Sequence, residues 1–224
     1  MRRRYRRENP LPLLIPAVLV VGVGVMLLAW GGSAAMTAIT GPTPPTTPTP
    51  AGVYWLQFWP TGKTTAGLTQ PFRGSVERAI TATEAAGGHA AIRATNRPYE
   101  RAWLMHYAWR VGHGLTRPED VPAYPGINII WTVPGALEMI KGYGLAVEPV
   151  LNSRHIPVPP STTGLAIDME VTFPHATTMI DAHGAPHAIA PGSGNVNPVY
   201  NAIMATYGVH KLAGDEPHYS VDGH

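Results

Sequence analysis

Hydrophobic and polar positions fall into two regimes along this chain. Leu11 to Trp30 (LPLLIPAVLVVGVGVMLLAW) is an apolar run of 20 residues, and no charged side chain occurs from Asn9 to Gly62. As a helix that run measures about 30 Å at roughly 1.5 Å per residue, the thickness of a bilayer's hydrocarbon core. After Pro71 the pattern becomes periodic. Phe72 to Ala86 places Val76 and Ile80 at helical spacing, with Ser75 able to cap the first turn and Gly87–Gly88 to end it. His89 to Thr95 predicts a short strand. Pro98 suits the first position of a helix over Tyr99 to Val111, stopped by Gly112 and Gly114.

Later segments favour strands. Thr116 to Asn128 is Pro-rich and predicts a surface loop, and Ala136 to Tyr143 a short helix stopped by Gly144. Gly164 to Phe173 (GLAIDMEVTF) alternates with period two, which puts Ala166, Asp168 and Glu170 on one face and Leu165, Ile167 and Met169 on the other. Thr178 to Ile189 carries Gly184 and Pro186 in its middle and predicts a hairpin. Asn197 caps a helix over Pro198 to Tyr207, and Val209–Leu212 and His218–Val221 close the chain as strands. Helices first and strands late predict an α+β domain over residues 71–224, with a central antiparallel sheet flanked by helices.

Charge and composition change this picture at the amino end. Arg2, Arg3, Arg4, Arg6 and Arg7 against Glu8 give +4 in the first eight residues, whereas residues 9–224 carry 11 Lys and Arg against 13 Asp and Glu. The main body therefore has no basic surplus to hold nucleic acid. The arginines mark residues 1–10 as a cytoplasmic tip and residues 11–30 as a transmembrane anchor, with everything after Trp30 outside. A cleaved signal peptide cut near Ser33–Ala34–Ala35 is the alternative, although 20 residues exceeds the usual apolar length of about 7–15. Residues 31–70 are expected to be linker and lead-in. Within them GPTPPTTPTP (41–50) holds five Pro and four Thr, an extended polyproline-type spacer of about 30 Å at roughly 3.1 Å per residue.

The chain has no cysteine, so disulfides, iron–sulfur clusters and thiol nucleophiles are excluded, and a metal site must use His, Asp or Glu. Asp168 stands in an otherwise apolar strand, where a carboxylate is costly unless it is paired, metal-bound or simply facing water. His155 and His218 would complete a site of two imidazoles and a carboxylate, a set that leaves a fourth position open on zinc. Asp215, three residues before His218, could stand by as a general base or be a solvated turn residue. His183 and His187 are four apart, but Gly184 and Pro186 between them argue against a helix and for a loop at a cleft rim. His106 and His113 read as structural, and Trp103, Tyr107 and Trp109 as core.

Taken in order, several pieces resemble a known family: FRGSVERAI, ATNRPYERAWLMHYAWRV, Ser153–Arg154–His155, GLAID and the closing YGVHKLAGDEPHYSVDGH. Together they resemble the zinc D-Ala-D-Ala carboxypeptidase-like branch of the superfamily that also holds hedgehog-type and lysostaphin-type domains. The resemblance covers Pro71 to His224. It implies a Zn²⁺ cofactor held by His155, Asp168 and His218, with Asp215 as catalytic acid/base. It also implies that Arg97 acts on the substrate's carboxylate or carbonyl oxygens, with Ser153 and Tyr219 as further substrate contacts. The implied substrates are peptidoglycan stem peptides, cut outside the membrane, and the second partner is the bilayer around residues 11–30. One departure stands out. The family pattern has seven steps from the first ligand to the second, and here His155 to Asp168 takes thirteen, which amounts to six residues inserted within Ile156–Thr163 (IPVPPSTT). A module that keeps the fold and binds wall peptides without turnover is the alternative function.

Overall fold

The computed structural model describes residues 42–158 and 161–224, and the apolar run 11–30 lies outside them. Among the described residues no helix is long and apolar enough to cross a membrane. In chain order the elements are β1 (Thr49–Pro50), α1 (Phe72–Ala85), β2 (His89–Ala94), α2 (Tyr99–Gly112), β3 (Ile129–Ile130), α3 (Val133–Tyr143) and β4 (Ala166–Phe173). They continue with β5 (Thr177–Ile180), β6 (Pro186–Ile189), β7 (Gly192–Ser193), α4 (Pro198–Thr206), β8 (His210–Lys211) and β9 (His218–Ser220). Among the described residues the architecture is α+β, with four α-helices and an antiparallel sheet ordered β2-β4-β9-β8, α1 and α4 packed on that sheet and β7 paired to the far end of β4. Strand β4 organises this sheet, pairing with β2, β9 and β7. Ile167, Met169, Val171 and Phe173 are buried against Phe72, Val76 and Ala79 of α1 and Tyr200, Ile203 and Met204 of α4, while Glu170 and Thr172 face water.

Helix boundaries follow local chemistry. In α3 Thr132 Oγ1 accepts the N–H of Gly135 at 3.2 Å, and Gly144 ends the helix at φ 68°, a left-handed conformation that glycine adopts without steric cost. Asn197 Oδ1 caps α4 by accepting from Val199 and Tyr200 at 3.0 and 3.2 Å. Helix α1 starts differently from the sequence reading, since Pro71 and not Ser75 stands at its cap.

A second core changes the expected domain boundary. Trp55 and Phe58 pack with Trp103, Leu104, Ala108 and Val111 of α2 and with Ala136 and Met139 of α3. Residues 49–70 are thus part of the folded body rather than a linker. The Pro/Thr-rich stretch is not wholly a free spacer either. Thr49–Pro50 pairs in parallel with Ile129–Ile130, and Asn128 Nδ2 donates to the carbonyls of Pro45 and Thr46 at 3.4 and 3.0 Å. An extended polyproline-type stretch makes no internal hydrogen bonds, so its carbonyls are open to a donor alongside. Trp55 is fully buried and donates its indole N–H to Pro50 at 3.1 Å. Trp55→Ala is expected to lower stability by roughly 3–5 kcal/mol; a urea midpoint unchanged from wild type would return this segment to the linker.

The hairpin β5–β6 explains two of the histidines. Asp181 closes its turn: Oδ1 accepts from the N–H groups of His183 and Ala185 at 2.9 Å each, and His187 Nε2 donates to Oδ2 at 2.9 Å. His187 first, then the Ala185 and His183 amides, hold the Asp181 carboxyl down at about 2. A depressed carboxyl contributes stability above its unfolded value of about 3.9, lost as pH falls toward the folded value. The wild-type unfolding midpoint should therefore drop between about pH 4 and pH 2. Asp181→Asn should be less stable at neutral pH and flatter across that window. Equal slopes would remove Asp181 from the acid response.

Candidate metal centre

Three elements carry the site, and backbone pairing aligns two of them. Ala94 of β2 lies opposite Asp168 of β4, and Asp168 lies opposite His218 of β9. Neighbouring residues of paired strands point to the same face, so Asp168 and His218 meet without any loop having to arrange it. His155 arrives from the loop before β4. That loop is stitched down by Leu165 N–H to the Arg154 carbonyl and by Arg97 N–H to the His155 carbonyl, both 2.8 Å. Gly164 makes this approach possible, because a Cβ there would stand 2.9, 3.1 and 3.3 Å from the carbonyl oxygens of Thr95, His155 and Arg154. The longer spacing between His155 and Asp168 does not displace the imidazole.

The three side chains converge closely. His155 Nε2 is 3.0 Å from Asp168 Oδ1 and 3.2 Å from His218 Nδ1, and His218 Nδ1 is 3.2 Å from Asp168 Oδ1. Both imidazoles are buried, and Asp168 is half-buried. The outer ring nitrogens decide where the ring protons sit. His155 Nδ1 faces the Thr95 carbonyl at 2.8 Å and His218 Nε2 the His224 carbonyl at 3.4 Å. A carbonyl only accepts, so each outer nitrogen carries the proton and each inner nitrogen turns a lone pair inward. Two lone pairs and a carboxylate oxygen at such distances repel unless a cation sits among them. Protonating both rings would aim two N–H groups at each other across 3.2 Å. A metal ion satisfies all three atoms together, so this group could hold one. Burial works to raise the Asp168 carboxyl, but whenever the rings donate a proton inward instead, hydrogen bonds and charge from His155 and His218 outweigh burial and hold the group well below the usual carboxylate range.

Arg97 stands beside this centre. The chain leaves β2 through Thr95, Asn96 and Arg97, past the strand position opposite Asp168. Its Nε is buried without a hydrogen-bond partner. Burial pulls the guanidinium below its ordinary value, with Asp168 pushing it up and Arg101 pushing it down. Arg97 as a whole is half-buried, and a guanidinium with an unclaimed donor beside this centre suits an anionic or carbonyl oxygen supplied from outside the chain.

The other expected site residues sit as follows. Asp215 is exposed in the turn between β8 and β9, where its carbonyl accepts the His218 N–H at 3.2 Å, and its carboxylate is not one of the clustered ligand atoms. Ser153 Oγ accepts the His155 N–H at 3.3 Å, which makes it a brace for the ligand's backbone. Tyr219 corrects the sequence reading. It is fully buried on the strand face opposite His218, packs in the sheet core, and has its hydroxyl tied to Asn201 and Asn195 at 3.0 and 3.4 Å, so it cannot touch a substrate. Trp109 is only half-buried, stacked on His113 at 4.0 Å, rather than core.

No family model matches this chain, and no curated protein or solved structure does. Two supporting residues escaped the sequence reading. Thr95 acts through its carbonyl, which leaves no mark on residue type. Lys211 donates from Nζ to the carbonyls of Leu212 and His218 at 3.1 and 3.3 Å, and to that of Asp215, so one ammonium shapes the whole Asp215 turn. A lone lysine before a Gly–Asp turn gave no signal of that task.

Proposed function

We propose that this chain is a zinc-dependent peptidase acting on an amide bond in peptidoglycan stem peptides, tethered outside the membrane by residues 11–30. The observation that carries the reading is the inward-facing set of His155 Nε2, Asp168 Oδ1 and His218 Nδ1, mutually 3.0–3.2 Å apart with their outer ring nitrogens already satisfied. Ligand atoms about 2.0–2.1 Å from a tetrahedral zinc stand roughly 3.3 Å from one another, so the donor set and its spacing fit that ion. Three protein ligands also leave one position open, the mark of a catalytic rather than structural site. The order of the motifs, which resembles that of D-Ala-D-Ala carboxypeptidase-like proteins, supplies the substrate class.

The chemistry that a bound zinc ion supplies there is Lewis acidity, which makes water nucleophilic near neutral pH and polarises a carbonyl oxygen. The protein's own groups do the rest. Asp215 takes a proton from the attacking water at its carboxylate and returns it to the leaving amine. Arg97 directs its unclaimed guanidinium donors at the peptide's carboxylate or carbonyl oxygens, fixing the chain and stabilising the charge that develops. Ser153 and the Thr95 carbonyl hold His155 in place throughout.

The non-catalytic alternative drew its support from the lengthened His155–Asp168 spacing, and that support falls away because the side chains meet. The test is release of D-alanine, or of a cleaved cross-link, from defined muropeptides by the purified chain with its zinc content measured alongside. Bound zinc with no product from either substrate would favour a binding module.

A further inference from the structure

We propose that Ser220 is a positioning residue that holds His218 in its inward-facing orientation by folding residues 221–224 back over the ring. The inference rests on the metal-centre reading and goes beyond the ligand set. His218 and Ser220 are two apart on β9 and therefore share a strand face. Ser220 is fully buried, and its hydroxyl oxygen accepts two backbone N–H groups, from Gly223 at 2.8 Å and His224 at 3.0 Å. The same hydroxyl donates to Asp222 Oδ1 at 3.3 Å, which leaves none of its hydrogen-bonding capacity idle. Gly223 adopts φ 78°, the left-handed conformation that lets the chain turn back so tightly.

The result of that turn is a carbonyl placed on the metal site. His224 O accepts the outer N–H of His218 at 3.4 Å, so the ring can present Nδ1 to Asp168 and His155. The turn is tied down a second time by the ion pair of Asp222 with Arg154, the residue next to the ligand His155. Two ligand-bearing segments, 63 residues apart in sequence, are thus fastened to each other through groups that touch no ligand atom. Outer partners of metal-bound histidines commonly govern affinity by about 10–100-fold. Of the two ties, Ser220 is the stronger, because the Arg154–Asp222 pair is solvent-exposed and such pairs contribute little in water.

Zinc affinity of the full-length chain, measured by competition with a chromophoric chelator, tests this. Ser220→Ala is nearly isosteric and should weaken zinc binding by about tenfold or more. It should also alter the visible absorption of the Co²⁺-loaded chain, while the thermal midpoint of the metal-free chain moves by only a few degrees. Asp222→Asn should shift affinity in the same direction by several-fold. If Ser220→Ala binds zinc within twofold of wild type and shows the wild-type Co²⁺ spectrum, the positioning role is wrong. A loss of metal-free stability without a change in affinity would also overturn it, since Ser220 would then be a fold residue only. If the wild-type chain itself takes up no zinc, the metal-centre reading fails and this inference goes with it.

Discussion

His218→Ala is expected to take zinc content from about one ion per chain to near zero and to abolish hydrolysis with it. Two ligands remain in that variant, His155 and Asp168, and neither can replace the lone pair that β9 supplied. The remaining pair would still face each other at 3.0 Å, satisfied by a proton instead of a metal ion. Deleting His218 therefore leaves an ordinary His–Asp contact where three ligand atoms now converge. The fold should survive, because the ring packs at the sheet's site face and not among the core residues around Tyr219. Elemental analysis of the purified variant, with circular dichroism to confirm folding, decides it. Retention of one zinc ion by folded His218→Ala would remove His218 from the ligand set.

Asp215→Ala should do the opposite to metal content and the same to turnover. Its carboxylate lies outside the ligand cluster, so zinc should stay at wild-type stoichiometry, while loss of general base catalysis should slow hydrolysis by about 10²–10⁴-fold. Lys211 keeps the turn in shape in this variant, since it binds the backbone carbonyls of residues 212, 215 and 218 and not the Asp215 side chain. The contrast between the two variants is what makes the pair informative. Zinc lost from Asp215→Ala would show that this residue supports the metal rather than the proton transfer.

Much of the fold was legible in local patterns. Period-two alternation in GLAIDMEVTF marked the central strand and the face on which Asp168 stands, and the turn residues Gly184 and Pro186 marked the hairpin. The boundary of the domain was not legible, because a short run such as VYWLQFW has no period of its own. Its aromatic residues become core only when α2 and α3 supply the other wall. Tyr219 was misjudged for a related reason. Its place in sequence beside His218 suggested a substrate contact, whereas strand alternation sends adjacent side chains to opposite faces.

Residue types and their spacing by themselves determined the absence of thiol chemistry, the uneven charge, the order of helices and strands, and which His and Asp residues could be ligands. Tertiary structure alone decided that those residues meet. Histidine and aspartate are common, and their sequence separation says nothing about distance until strand pairing sets Asp168 opposite His218 and a glycine lets the His155 loop close in. It also decided which nitrogen of each ring faces inward, because that choice belongs to the backbone carbonyls of Thr95 and His224, which carry no trace in residue type. Backbone partners are chosen by folding, and the chemistry of this site depends on them.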